Sequence, residues 1–236
     1  MKRLLPILVS TPLLFAACAG TPPLAEEGLT YEQDFASPAV LGQLQVTDVE
    51  AWDWSDEGGI NSLELLGASE YSPPHRSPTS IALVDELLFA DFDLDVDLLQ
   101  TGREYGHRDM CLFFGFESPS RFYYVHLAST PDPHAHNIFL VDDAPRVAIA
   151  PVGEKGIDWG DGVWHHVRIE RRVESGTIRV FFDDLETPVL EAVDKTLSWG
   201  RVGFGSFDDS GRIAKLRVSA PEVKKSKPGE VVFPAK

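Results

Sequence analysis

The chain has 236 residues, with 37 Asp+Glu against 21 Lys+Arg and a formal charge of −16. Such an acidic surface argues against nucleic acid and anionic membrane faces as partners and favours a soluble, self-repelling body. Two cysteines, Cys18 and Cys111, cannot make a disulfide scaffold, so core packing must hold the fold.

Lys2 and Arg3 precede an apolar run over residues 4–17 that ends in small residues before Cys18, the pattern of a targeting segment. The run is shorter than the roughly 20 apolar residues of a membrane span, and Pro6 and Pro12 interrupt it. Leu14-Phe15-Ala16-Ala17-Cys18 resembles the lipobox of bacterial lipoproteins. That resemblance implies a signal peptide over 1–17, lipid on Cys18, and an exported protein anchored to the bacterial cell envelope. The alternative is an ordinary signal peptide with a fortuitous cysteine. Cleavage leaves 19 Lys+Arg against 37 Asp+Glu, a balance of −18, and lipid on Cys18 would leave Cys111 without a disulfide partner. Residues 18–28 are small, acidic and Pro-containing, as a tether requires. No later stretch reaches membrane length, so contact with a membrane is expected only through the lipid.

From residue 29 to 220 no helical hydrophobic period is sustained. Short alternating runs separated by Gly, Pro, Asp and Asn predict strands at 43–49, 62–67, 80–84, 89–99, 110–116, 122–128, 138–141, 146–150, 165–171, 177–182, 189–192, 202–206 and 213–218. So many short strands predict one all-β domain of two packed antiparallel sheets, a sandwich. Without an internal repeat, a propeller is disfavoured. The Lys- and Pro-rich residues 221–236 read as a tail.

Alternation assigns faces. In 89–99, Phe92, Leu94, Val96 and Leu98 share one side, and Asp91, Asp93, Asp95 and Asp97 the other, which must be solvated. In 122–128, Tyr123, Val125 and Leu127 form the core side and leave Phe122, Tyr124 and His126 outward. The strand before it places Met110, Leu112, Phe114 and Phe116 inward, with Asp109, Cys111, Phe113 and Glu117 outward. If the two pair through Ser118-Pro119-Ser120, their outward faces merge into a surface with aromatic rings and polar tips suited to sugars, extended by His107 and Arg108. The competing reading covers those aromatics with a loop such as 130–134. Val167 and Ile169 point inward opposite His166, Arg168 and Glu170, and a turn at Glu174-Ser175-Gly176 joins that strand to inward Ile178, Val180 and Phe182.

The run Gly162-Val163-Trp164-His165, continued through the hairpin to Asp184, resembles the Gly-x-Trp-His hairpin of laminin G-like and related concanavalin A-like jelly-roll domains. Residues 200–207 resemble the glycine-rich strand that follows it there. The resemblance spans roughly residues 85–219 and extends to 3-keto-disaccharide hydrolase-like domains of exported bacterial proteins. It implies the concanavalin A-like fold and carries little about function. The Glu-x-Asp-x-x-Glu strand of family 16 glycosidases is absent. Many relatives bind a structural calcium; Asp34, Asp208 and Asp209 are the residues that could serve, while the strand 213–218 has no acid.

Two further constellations bear on chemistry. His134 and His136, with Asp132 or His126, could ligate zinc or copper if an extended chain puts both on one side. Arg108 or Arg121 against a uronate carboxylate, with His126 and Tyr124 moving protons, would make a polysaccharide lyase, although an acidic protein is an awkward host for a polyanion. The expected function is therefore a surface-tethered carbohydrate-binding or glycan-processing module, with His107, Arg108, Asp109, Tyr124, His126, His136 and Asn137 as ligand-binding residues. A polysaccharide-degrading enzyme on the same face is the alternative, and a protein-interaction or adhesive domain the third reading. No cofactor is assigned beyond the structural calcium that the resemblance leaves open.

Overall fold

A computed structural model describes residues 28–233. Cys18, the leader and nearly all of the tether lie outside the described residues. The described chain forms strands β1 (Leu29–Gln33), β2 (Leu44–Val46), β3 (Trp52–Ser55), β4 (Ser62–Leu65), β5 (Ser80–Val84), β6 (Leu87–Phe89), β7 (Phe92–Gln100), β8 (Asp109–Ser118) and β9 (Arg121–Ala128). It continues with β10 (Asn137–Asp142), β11 (Val147–Ala148), β12 (Trp164–Arg172), β13 (Thr177–Phe182), β14 (Leu190–Val193), β15 (Arg201–Ser206), β16 (Gly211–Ala220) and β17 (Val223–Lys225).

An eight-stranded sheet runs β14-β13-β12-β7-β16-β4-β3 with β1 also on β16, and a seven-stranded sheet runs β11-β10-β9-β8-β15-β5-β2. All pairings are antiparallel, as expected from the alternating runs. The core lies between the sheets. Leu94, Val96, Val167 and Ile169 meet Leu112, Phe114, Val125 and Phe204 in one fully buried cluster.

The outer face of the eight-stranded sheet is wet, as the aspartate stripe requires, and its charge is balanced by neighbouring strands. Asp93 lies 2.8 Å from Arg172, and Asp95 lies 2.8 Å from Arg168. His166 bridges Asp95 at 3.0 Å and Asp97 at 2.9 Å, and Lys215 reaches Asp97 at 2.8 Å. Its hydrogen bonds to Asp95 and Asp97 hold the His166 imidazolium above the ordinary histidine range.

The seven-stranded sheet departs from expectation. Tyr123, Val125 and Leu127 do face the core, but Phe122, Tyr124 and His126 on the other side are not solvent-facing: all are buried. Phe122 and Tyr124 join Ile81, Leu83, Phe113, Phe116 and Phe139 in a second apolar layer, packed with Tyr71, Phe207, Val232 and Phe233, and the His126 ring lies against Phe139 and Phe207 at its edge. Exposing that many rings would cost far more than ordering the segments that hide them. Phe116 changes sides as well. The β8–β9 register shifts after Phe114, Gly115 takes φ +55°, and Phe116 turns outward to stack on Phe122 at 4.6 Å.

The described part of the stretch expected as a tail, residues 221–233, is docked. Strand β17 pairs with β6, the Glu230 carboxylate lies 2.9 Å from Arg201, and the Phe233 ring sits 5.5 Å from Tyr71. Strands β1 and β3 carry no strong alternation and were not expected. The strand expected over 89–99 divides into β6 and β7 around Ala90 and Asp91.

Ile169→Ala is expected to lower unfolding free energy by about 2–5 kcal/mol, and Arg168→Ala by about 0–1 kcal/mol, since its Asp95 pair is partly solvated. Equal losses in chemical denaturation would invert the phase of β12. A Cβ built on Gly205 would lie 1.8 Å from the Ser80 carbonyl oxygen, so Gly205→Ala should part β15 from β5 and lower the melting temperature.

Candidate functional site

Five connections converge over the outer face of the seven-stranded sheet where its apolar cover stops. They are residues 66–79 before β5, 101–108 before β8, 129–136 before β10, 143–146 before β11, and 207–210 after β15. Together they border a cleft of about 670 Å³. Its floor is Asp109 of β8 and His126 of β9; Tyr105, His107, His134, Arg146, Phe207 and Arg76 stand around it.

Asp109 is almost fully buried, and its carboxylate is held by three strands. Oδ1 accepts the Ser206 hydroxyl at 2.8 Å, Oδ2 accepts the Cys111 thiol at 2.9 Å, and His126 Nε2 lies 3.3 Å from Oδ2. Burial pushes the Asp109 carboxyl up, but His126 with the thiol and hydroxyl donors outweighs it, leaving Asp109 below the usual carboxylate range. Burial, then the Asp109 charge, raises the Cys111 thiol well above its ordinary value, so it stays a protonated donor. Cys111 is buried and forms no disulfide among the described residues. Asp209 Oδ2 accepts the Asp109 N–H at 2.9 Å and the Tyr105 hydroxyl at 2.8 Å. Burial, reinforced by the Asp109 charge, pushes Asp209 up to about 6.

Of the residues expected at the site, His107, Asp109 and His126 line the cleft. His107 Nε2 lies 2.7 Å from the Asp132 carboxylate at the rim. Tyr124 lies beneath the wall, stacked on Phe139 at 5.0 Å, and its hydroxyl accepts from Arg146 Nη1 at 2.5 Å. Arg108 is directed elsewhere: its buried guanidinium donates to the Gly160 carbonyl at 2.7 Å and the Gly102 carbonyl at 3.4 Å. Asn137 is also structural, since its amide exchanges two hydrogen bonds with the Ala150 backbone at 3.0 and 3.1 Å. His136 is buried with φ +48°, and its Nδ1 accepts the Ala128 N–H at 3.5 Å. Burial and then nearby His126 push its pKa down to about 4, so the ring is neutral at neutral pH.

That positive φ also separates His136 from exposed His134, so the expected pair on one side does not form. Neither belongs to a group of three metal-ligating side chains among the described residues; such groups are Asp109, Cys111 and His126, and Asp109, Asp208 and Asp209. Asp34 accepts the Ala36 N–H and joins neither. Both Asp109 oxygens and Asp209 Oδ2 already accept thiol, hydroxyl and amide donors, which occupy directions a cation would need. These residues do not fit the structural calcium that the resemblance implies.

Arg76, Tyr105, Arg146 and Phe207 were not foreseen. Arg146 lies over the Phe139 ring at 4.6 Å and the Phe207 ring at 5.1 Å, and Nη2 donates to the His134 carbonyl at 3.2 Å. The only local signal was a pair of cations, Arg76 and Arg146, in Pro-containing segments of an acidic chain.

No family model matches the chain, and no curated protein does. Among solved structures, the carbohydrate binding module CBM66 from Bacillus subtilis aligns with a TM-score of 0.53 at 16% identity over 75% of this chain and 96% of that one. Winged bean acidic lectin, solved with methyl-α-D-galactose, aligns at 0.52 and 13% identity over 84% and 100%. Lectin I-B4 from Griffonia simplicifolia, in a metal-free form, aligns at 0.50 and 16% identity over 83% and 99%. At such identities the likeness establishes the fold: an all-β antiparallel sandwich of concanavalin A-like, jelly-roll architecture.

Proposed function

We propose that this chain is a carbohydrate-binding module displayed on a bacterial cell envelope, and that it holds a short stretch of glycan in the cleft above Asp109 and His126. The carrying observation is the cleft itself. Tyr105 and Phe207 offer aromatic surface, while His107, Arg146, His134 and Asp208 surround it with hydrogen-bonding groups on a rigid sheet. Sugars present alternating apolar faces and hydroxyl edges, which such a mixture matches. The fold likeness to a carbohydrate binding module and two lectins supports the same reading.

A second reading, a hydrolase or lyase in the same cleft, is favoured by the Asp109–His126 pair. His126 Nδ1 is buried without a partner, while Nε2 faces the buried carboxylate. An imidazole so backed can accept a proton during catalysis. Release of reducing ends or unsaturated sugars from a polysaccharide panel, abolished in His126→Gln with binding retained, would establish that reading; wild-type protein that releases nothing defeats it.

In a titration of oligosaccharides, His107→Ala should lose about 1–3 kcal/mol of binding with an unchanged melting temperature, because His107 is half exposed at the rim. A glycan that binds wild type and His107→Ala alike places the site elsewhere.

Display on the envelope depends on Cys18. Cys18→Ala should move the protein out of the detergent-extracted membrane fraction, leaving it unprocessed or mislocalised. A wild-type protein recovered wholly soluble from the exported compartment would refute the anchor.

A further inference from the structure

We infer that the cleft selects an acidic sugar, a uronic-acid residue whose carboxylate docks on Arg146 with Arg76 beside it. This deepens the carbohydrate reading and rests on it. Acids far outnumber bases in this chain, so an arginine without a carboxylate partner is the exception. Most described arginines pair with Asp or Glu, as Arg168, Arg172 and Arg201 do. Arg108 and Arg171 are instead buried against backbone carbonyls. The three that remain, Arg76, Arg103 and Arg146, all gather at the cleft: Arg76 and Arg146 line it, and Arg103 lies 5.2 Å over the ring of the lining residue Tyr105.

Arg146 is the best placed. Two of its N–H groups are committed, to the Tyr124 hydroxyl and the His134 carbonyl, and the guanidinium is flanked by the Phe139 and Phe207 rings. A guanidinium has five N–H donors, so three remain for a ligand. Flanking rings fix the plane of the fork before any ligand arrives, and a fixed planar fork matches a planar carboxylate through two parallel hydrogen bonds.

The acids nearby do not cancel it. Asp109 is enclosed by Ser206, Cys111 and His126, and Asp132 is engaged by His107. Asp208 is the one exposed carboxylate in the lining and is left to accept sugar hydroxyls.

The test is calorimetric titration of the full-length, detergent-purified protein with three series of matched oligosaccharides. These are uronates, the same chains with their carboxyls reduced to alcohols, and neutral chains bearing sulfate esters. Wild type should bind at least one uronate about tenfold or more tightly than its reduced partner, and that preference should shrink without vanishing as NaCl rises from about 50 to about 500 mM, since a partly buried pair is screened less than an exposed one. Arg146→Lys should cost about tenfold on the uronate, because the charge survives but the fork does not. Arg76→Gln, at an exposed loop position, should cost several-fold on the uronate, and both variants should weaken the reduced sugar by a smaller factor, so that the preference for the uronate falls. Equal binding of uronate and reduced sugar overturns the carboxylate inference but leaves the carbohydrate reading standing. Binding of the sulfated series alone overturns it in favour of a sulfate ester. Failure of all three series to bind defeats the carbohydrate reading itself.

Discussion

Asp109 is almost fully buried at the floor of the cleft, and a carboxylate in that position is tolerated only when donors surround it. The donors come from three different strands. Cys111 lies two residues along β8, His126 sits opposite on β9, and Ser206 ends β15. The Asp109 N–H in turn reaches Asp209, which receives the Tyr105 hydroxyl. One buried acid thus fixes the mutual position of the central strands and of two loops that overhang them. Substituting it would leave several donors stranded and displace the cleft floor, so loss of ligand in such a variant would say little about direct contact.

The second constraint is that the seven-stranded sheet is apolar on both sides. Antiparallel sheets usually leave one face to water. Here the outer face carries Phe113, Phe116, Phe122 and Phe139, and needs a cover. The connection before β5 supplies Tyr71 and the C-terminal stretch supplies Val232 and Phe233. These covering segments are held by polar pins such as Gln45 with Glu230 and Arg201 with Glu230. The cleft is the part of this face that the cover leaves open, which is why aromatic rings reach its walls. The eight-stranded sheet solves the opposite problem with ion pairs on its outer face.

Period-two alternation made most of the sandwich legible in the sequence. The phases of β7, β9 and β12 follow from which residues can be buried, and the β12–β13 hairpin pairs Ile169 with Val180 as alternation demands. What escaped has physical causes. A bulge adds one residue and inverts every side chain after it, and Gly115 alone signals nothing so specific. Alternation separates two faces without saying whether the outer one is wet; the rings at Phe122 and Tyr124 are compatible with a sugar platform or with a second core. Polar residues misled where the backbone satisfies them: Arg108 and Asn137 read as ligand groups but bond to carbonyls and amides of Gly160 and Ala150. Tyr105, Arg146 and Phe207 meet only through pairings of distant strands, which no local pattern encodes.

Net charge is a poor guide to the field inside a cleft. At physiological ionic strength charges separated by more than about 8 Å are largely screened, so a distant aspartate does little to a ligand seated against Arg146. The aspartates of β7 are in any case answered by His166, Arg168, Arg172 and Lys215 on the far sheet. What a bound group experiences is the guanidinium within contact distance, in walls that exclude water and strengthen the interaction. The acidic exterior acts earlier, on approach. Long-range repulsion slows the encounter of a polyanion, most strongly for highly charged chains at low salt. A short-range cationic contact inside a long-range anionic field therefore disfavours densely charged polymers more than sparsely charged ones. Under the acidic-sugar reading, this molecule is suited to glycans in which uronates are spaced among neutral residues.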